Sequence, residues 1–122
     1  MRHRPPRILD ASAIVALFNG HPELSRLLDL AGQGSMSILL PTTAIADAEA
    51  VIHHGTGGWE PILLSSGVGS LPLAEHAAIE IGCWPGELAV RHAVHEADAL
   101  RAAVVTTEPG LYKGLPVPLL VV

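Results

Sequence analysis

One cysteine, Cys83, stands in the 122 residues. An internal disulfide is therefore impossible and a thiolate zinc site has too few ligands; a small buried apolar residue is the expected role. Aromatic residues are almost as scarce, at 3 % of the chain. Trp59, Trp84 and Tyr112 are too scattered for a base-stacking platform and read as packing or interface residues. Positive charge is also short, with 7 Lys+Arg, Lys113 the only lysine, against 12 acids and a formal net charge of −5. Bulk electrostatic attachment to nucleic acid or an anionic membrane is excluded, so any such contact needs a local patch. Long apolar runs are missing: Ile38-Leu39-Leu40 stops at Pro41 and the closing run is broken by Pro118, far short of the roughly 20 residues of a membrane span. The basic opening from Met1 to Arg7 leads into strand-like sequence with Asp10 rather than the apolar core of a signal peptide, so a cytoplasmic location is expected.

What is present is apolar sequence, 49 % of the chain, enough for one globular domain spanning 1–122 with its own core. Arg7-Ile8-Leu9-Asp10 reads as a short strand ending in an acid, followed by a helix over 12–18 with Ser12 as N-cap. A helix over 22–31 closes at Gly32 and Gly34, and 37–40 is the next strand. Pro41 opens a helix to about His54, which Gly55-Thr56-Gly57-Gly58 should end. A short helix over 59–66, an edge strand over 70–73 carrying Pro72, and a helix over 73–82 follow. A long helix over 87–101 and strands at 103–106 and 117–122 complete the chain. Alternating strands and helices predict a three-layer α/β/α sandwich around a central, mainly parallel sheet. Ligands of such sheets bind beyond the carboxyl ends of the strands.

That edge selects acids. Asp10 ends the first strand and Glu108 follows Thr106 at the end of another, 98 positions later. On the helix over 42–54, Ala44, Ile45, Ala48, Val51 and Ile52 make one apolar arc, with Asp47 and Glu49 on opposite flanks about 40° beyond it. Periodicity does not choose between them, although Asp47 is about 3 Å nearer the helix start. On the helix over 87–101, Ala89, Val90, Ala93, Val94, Ala97 and Leu100 form the buried arc, leaving Arg91, His92, His95, Glu96 and Asp98 outside it. Glu87 heads that helix, and Asp98 lies about 16 Å further along its axis. Each acid also has an ordinary explanation: Asp10 as a cap, Asp47 and Glu49 as solvated flank residues, Glu87 as a first-turn acid favoured by the helix dipole, Glu108 as a turn residue. Their joint placement carries the weight. His53-His54 and the pair His92 and His95 lack a third ligand in view, so surface histidines are expected rather than zinc.

Taken together, Ile8-Leu9-Asp10-Ala11-Ser12-Ala13, "PTTAIADAEA" from Pro41, "ELAVRHAV" and "VVTTEPGLY" resemble, in order and spacing, the small stand-alone bacterial PIN domains of VapC type. The resemblance covers nearly the whole chain. It implies a ribonuclease, typically the toxin of a toxin–antitoxin pair held inactive by a small antitoxin protein, and a homodimer. Carried over, the family's first aspartate falls on Asp10, its glutamate on Asp47 with Glu49 close enough to compete, the acid opening the penultimate helix on Glu87, and the closing acid on Glu108. Thr106 takes the hydroxyl position and Ser12 the early serine. Asp47 stands where glutamate is usual, and Glu87 and Glu108 where aspartate is usual. Each such exchange moves a carboxylate by about one methylene, over 1 Å, whereas Mg²⁺ demands near-ideal octahedral geometry.

Clustered carboxylates with hard oxygen ligands suit Mg²⁺ or Mn²⁺, which would polarise a phosphodiester and help generate hydroxide from water. Asp10, Asp47 and Glu87 are the expected direct or water-mediated ligands. Glu108 would complete the cluster or orient water, and Ser12 and Thr106 would hold ligands by hydrogen bonds. The expected substrate is single-stranded RNA, with Arg7, Arg26, Arg91 and Lys113 as candidate basic rim residues. One alternative is a PIN fold that binds RNA or a protein without cleaving. Another, a receiver-like phosphoacceptor, lacks an acceptor aspartate at Leu40-Pro41, and Lys113 follows a turn.

Overall fold

The computed structural model describes residues 4–122. Among them, β1 (Arg7–Leu9), α1 (Ala11–Phe18), α2 (Pro22–Gly32), β2 (Ile38–Pro41), α3 (Thr42–Ile52), α4 (Gly55–Leu63), β3 (Val68–Leu71), α5 (Glu75–Ile81), α6 (Leu88–Leu100), β4 (Ala103–Thr106), a 3₁₀ turn at Pro109–Tyr112 and β5 (Leu119–Val121) follow in order. Every strand pairing is parallel, in the order β3-β2-β1-β4-β5. None of the described helices is long and apolar enough to cross a membrane.

Successive apolar residues place the sheet in the middle. Ile8 and Val104 face one layer and Leu9 and Val105 the other, all four fully buried, as a strand covered on both faces requires. One core joins Leu9, Ile38, Leu40 and Val105 to Ile14, Leu24, Ala44, Ala48 and Trp59 from α1 to α4. The second joins Ile8 and Val104 to Val90, Ala93, Val94 and Ala97 of α6 and to Tyr112. The three-layer sandwich and the edge position of β3 agree with the sequence.

The strand order also fixes where a site belongs. From β1 the chain winds outward through β2 to β3, then returns past β1 to β4 and winds outward the other way to β5. The winding reverses between β1 and β4, and the loops leaving those two strands diverge there, opening a crevice at their carboxyl ends.

Several local expectations are corrected. The N-cap of α1 is Asp10, whose side chain accepts from the Ala13 N–H, and Ser12 lies inside the helix. The glycine tract after His54 begins α4 instead of ending a helix and leading to one at 59–66; the break falls at His53, which takes a left-handed φ of 53°. Glu49 bridges that break, accepting from the N–H groups of His54 at 2.9 Å and Gly55 at 2.8 Å and from the Trp59 indole at 2.9 Å. Gly58 is required by that packing, since a Cβ there would lie 2.6 Å from the His54 Cβ. The edge strand sits two residues early, and α5 stops at Ile81, leaving Cys83 exposed in the turn to α6 rather than buried. His92 is fully buried rather than on a polar face, because α3 covers that side of α6 and the Thr43 hydroxyl meets His92 Nδ1 at 2.7 Å.

Candidate functional site

A cavity of about 420 Å³ opens at the carboxyl ends of β1 and β4, where the winding reverses, and Asp10, Asp47, Glu87 and Glu108 all line it. Each acid arrives from a different element. Asp10 follows β1, Asp47 is on α3, Glu87 is the residue before α6, and Glu108 precedes the 3₁₀ turn. Val15, Val51, Val90 and Leu111 supply apolar walls.

Among the described residues Asp10 is the only buried acid, and its acceptors are nearly all used. Oδ1 accepts from the Ser12 hydroxyl at 2.7 Å and the Ala13 N–H at 2.9 Å; Oδ2 accepts from the Tyr112 hydroxyl at 2.8 Å. An ionised carboxylate offers about four lone-pair sites, so one remains, on Oδ2. Ser12 Oγ spends its single proton on Asp10 and accepts from the Thr107 N–H at 3.0 Å. Its 3.3 Å contact with Thr106 Oγ1 therefore has Thr106 as donor, and Thr106 Oγ1 in turn accepts from the Glu108 N–H at 2.9 Å. The chain from Glu108 through Thr106 and Ser12 to Asp10 ties the ends of β1 and β4 together, so the hydroxyls act behind the acids.

The other three acids are held differently. Asp47, Glu87 and Glu108 are exposed, and neither Glu87 nor Glu108 spends its carboxylate capping the helical turn that it precedes. Glu87 stands at the N-terminal end of α6. Among the described residues, no three His, Cys, Asp or Glu side chains stand close enough together to hold a metal ion. The donor set is nonetheless all carboxylate oxygen, the type that suits a hard divalent cation.

Geometry separates the candidates that spacing left open. Asp47 lines the cavity, whereas Glu49 turns to the opposite flank. There the Trp59 indole, then the Gly55 N–H, hold its carboxyl below the usual range. Asp98 is exposed and lines a different cavity with Trp84 and Arg91. Among the described residues no Lys or Arg lines the acidic cavity, and the four expected rim residues stand elsewhere. Arg7 opens β1, at the opposite edge of a parallel sheet from the strand ends, and with Arg26 it lines a third cavity there. Arg91 donates to the carbonyls of Ile81 at 3.1 Å and Gly82 at 3.3 Å, and Lys113 is exposed beyond the 3₁₀ turn. His95 meets Glu80 at 3.1 Å.

Tyr112 is the residue that the sequence suggested only for packing or an interface. It does pack in the second core, yet its hydroxyl reaches Asp10. Burial, reinforced by the Asp10 charge, pushes that hydroxyl well above the ordinary tyrosine range, so it stays a donor. The available signal was a lone tyrosine four residues beyond Glu108.

No protein-family model matches this sequence, and no curated protein matches it. Solved structures do. VapBC2 from Rickettsia felis bound to a DNA fragment from its promoter is similar over 93 % of this chain and 96 % of that one, with a TM-score of 0.63 and 15 % identity. A toxin–antitoxin complex from Klebsiella pneumoniae is similar over 90 % of this chain and 92 % of that one, with a TM-score of 0.60 and 12 % identity. The chain therefore has a VapC-like PIN fold.

Proposed function

We propose that this chain is a metal-dependent endoribonuclease, the toxin of a toxin–antitoxin pair working in the cytoplasm. The observation that carries the reading is the convergence of Asp10, Asp47, Glu87 and Glu108 on one cavity at the reversal of the sheet. The fold it shares with toxin–antitoxin complexes supports the partner, a small antitoxin protein. A homodimer belongs to the same proposal and rests on the family resemblance alone.

Asp10 Oδ2, with its one open lone pair, would be the fixed ligand of Mg²⁺ or Mn²⁺, and Asp47 and Glu87 the adjustable ones, direct or through water. Once bound, such a cation supplies charge to polarise the scissile phosphate and to lower the pKa of a water molecule. Glu108 would orient the attacking water and take its proton on a carboxylate oxygen as the new P–O bond forms, and the oxygen released when the old P–O bond breaks would take up a proton from solvent. Ser12 and Thr106 keep the two strand ends in register while this happens. Among the described residues neither arginine nor lysine lines the cavity, so the positive charge that meets an RNA phosphate would have to come from the bound cation.

A second reading, a PIN fold that binds RNA or protein without cleavage, is favoured by two observations among the described residues: the acids that share the cavity do not stand close enough to hold a metal ion as a group of three, and no Lys or Arg lines it. Cleavage of a mixed RNA panel with Mg²⁺, Mn²⁺ or EDTA separates the two, against Asp10→Asn. Asparagine keeps an oxygen for the Ala13 N–H, so that control retains its helix cap. The nuclease reading expects metal-dependent cleavage that falls by at least about a hundredfold in the variant; cleavage equal in both proteins, or none, supports the second reading.

A further inference from the structure

Asp10 is the one acid of the cavity whose position is over-determined, and two of its three donors come from its own helix turn. Ser12 and Ala13 together occupy Oδ1, and neither of them reaches Oδ2. The third donor comes from 102 positions away. Tyr112 stands in the 3₁₀ turn after β4, belongs to the core cluster that holds Ile8, Val90 and Val104, and is only 3 % exposed, so its hydroxyl is a fixed point.

We infer that Tyr112 is a positioning residue for Asp10: by filling one lone-pair direction of Oδ2 from a rigid ring, it leaves that oxygen a single acceptor direction, and so commits Asp10 to bind a divalent cation through one oxygen. This rests on the metal site proposed above and deepens it. Phenylalanine in place of Tyr112 would preserve the core and open the second lone-pair direction of Oδ2 to water, so the site would be present but loose. Outer partners of this kind typically change metal affinity by about 10–100-fold. The same hydrogen bond couples the 3₁₀ turn to β1. Glu108 precedes that turn and Leu111 sits on it, and both line the cavity.

The test uses Mn²⁺ calorimetry on the whole chain, wild type against Tyr112→Phe and Asp10→Asn. A positioning role gives wild-type binding that Asp10→Asn abolishes and Tyr112→Phe weakens about tenfold or more. Binding by Tyr112→Phe equal to wild type, with Asp10→Asn still inactive, overturns the inference and leaves the metal site standing. Absence of Asp10-dependent binding in the wild type overturns both. A second measurement does not depend on the fold of the variant. Tyr112 is the only tyrosine in the sequence, so 3-fluorotyrosine labelling yields one ¹⁹F resonance. It is expected to move on Mg²⁺ titration with the midpoint that Mg²⁺ calorimetry gives and to stay fixed in Asp10→Asn; a resonance indifferent to saturating Mg²⁺, while Mg²⁺ calorimetry shows Asp10-dependent binding, contradicts the role.

Discussion

Two carboxylates one helical turn from each other's neighbours, Asp47 and Glu49, show how little a side chain's type decides and how much its donors do. Glu49 accepts three hydrogen bonds, two from the start of α4 and one from Trp59, and is consumed as a connector. Asp47 is exposed and lines the acidic cavity. Opposite phenotypes follow. Glu49→Ala leaves three donors without their acceptor and is expected to lower the melting temperature by several degrees while leaving Mn²⁺ affinity unchanged. Asp47→Ala is expected to leave the melting temperature within about a degree and weaken Mn²⁺ binding about tenfold. Thermal melts and calorimetry on both variants check the exchange, and reversed phenotypes would reassign the second acid. At this scale the sequence showed both acids on opposite flanks but not which flank faced the strand ends. The deciding partner, Trp59, is ten residues away, on a helix that starts at Gly55, four residues earlier than the glycines suggested.

Helices α3 and α6 meet through a buried histidine. His92 has no solvent exposure, its Nδ1 meets the Thr43 hydroxyl, and its Nε2 lies 3.6 Å from Glu96 without a hydrogen-bond partner among the described residues. Burial lowers its pKa from the ordinary 6.5, against an upward pull from Glu96 and with a further push down from His95. The unfolded chain therefore takes up a proton near 6.5 that the folded chain refuses until lower pH. Stability from this group is present above that value and is lost as pH falls below it. The melting temperature of the wild type is expected to fall relative to His92→Gln between about pH 7 and 5; parallel curves for the two proteins would show that His92 is not the titrating element. Periodicity placed this residue on a polar face because it counts one buried arc per helix. A helix covered by both the sheet and a neighbouring helix has a wider one, and nothing in the spacing along α6 announces that neighbour.

For the whole molecule, the alternation of elements carried the fold: short apolar strands separated by helices admit few arrangements other than a parallel sheet between two layers. Asp10 and Glu108 were legible because strand ends in such sheets share one edge, and Glu87 because a helix leading into a parallel strand starts at that edge. Arg7 illustrates the same rule in reverse, since a residue opening a strand lies on the far edge, and the arginines that composition offered to the substrate stand there or on the outer side of α6. Tyr112 was not legible as a site residue, because its partner is brought to it only when β1 and β4 pair. The central claim is that this edge, at the reversal between β1 and β4, holds a divalent cation on Asp10. Anomalous scattering from crystals soaked in Mn²⁺ tests it most directly. The account expects one strong peak in the acidic cavity within bonding distance of Asp10 Oδ2, lost in Asp10→Asn crystals; an empty cavity, or a peak elsewhere such as beside His95 and Glu80, would contradict it.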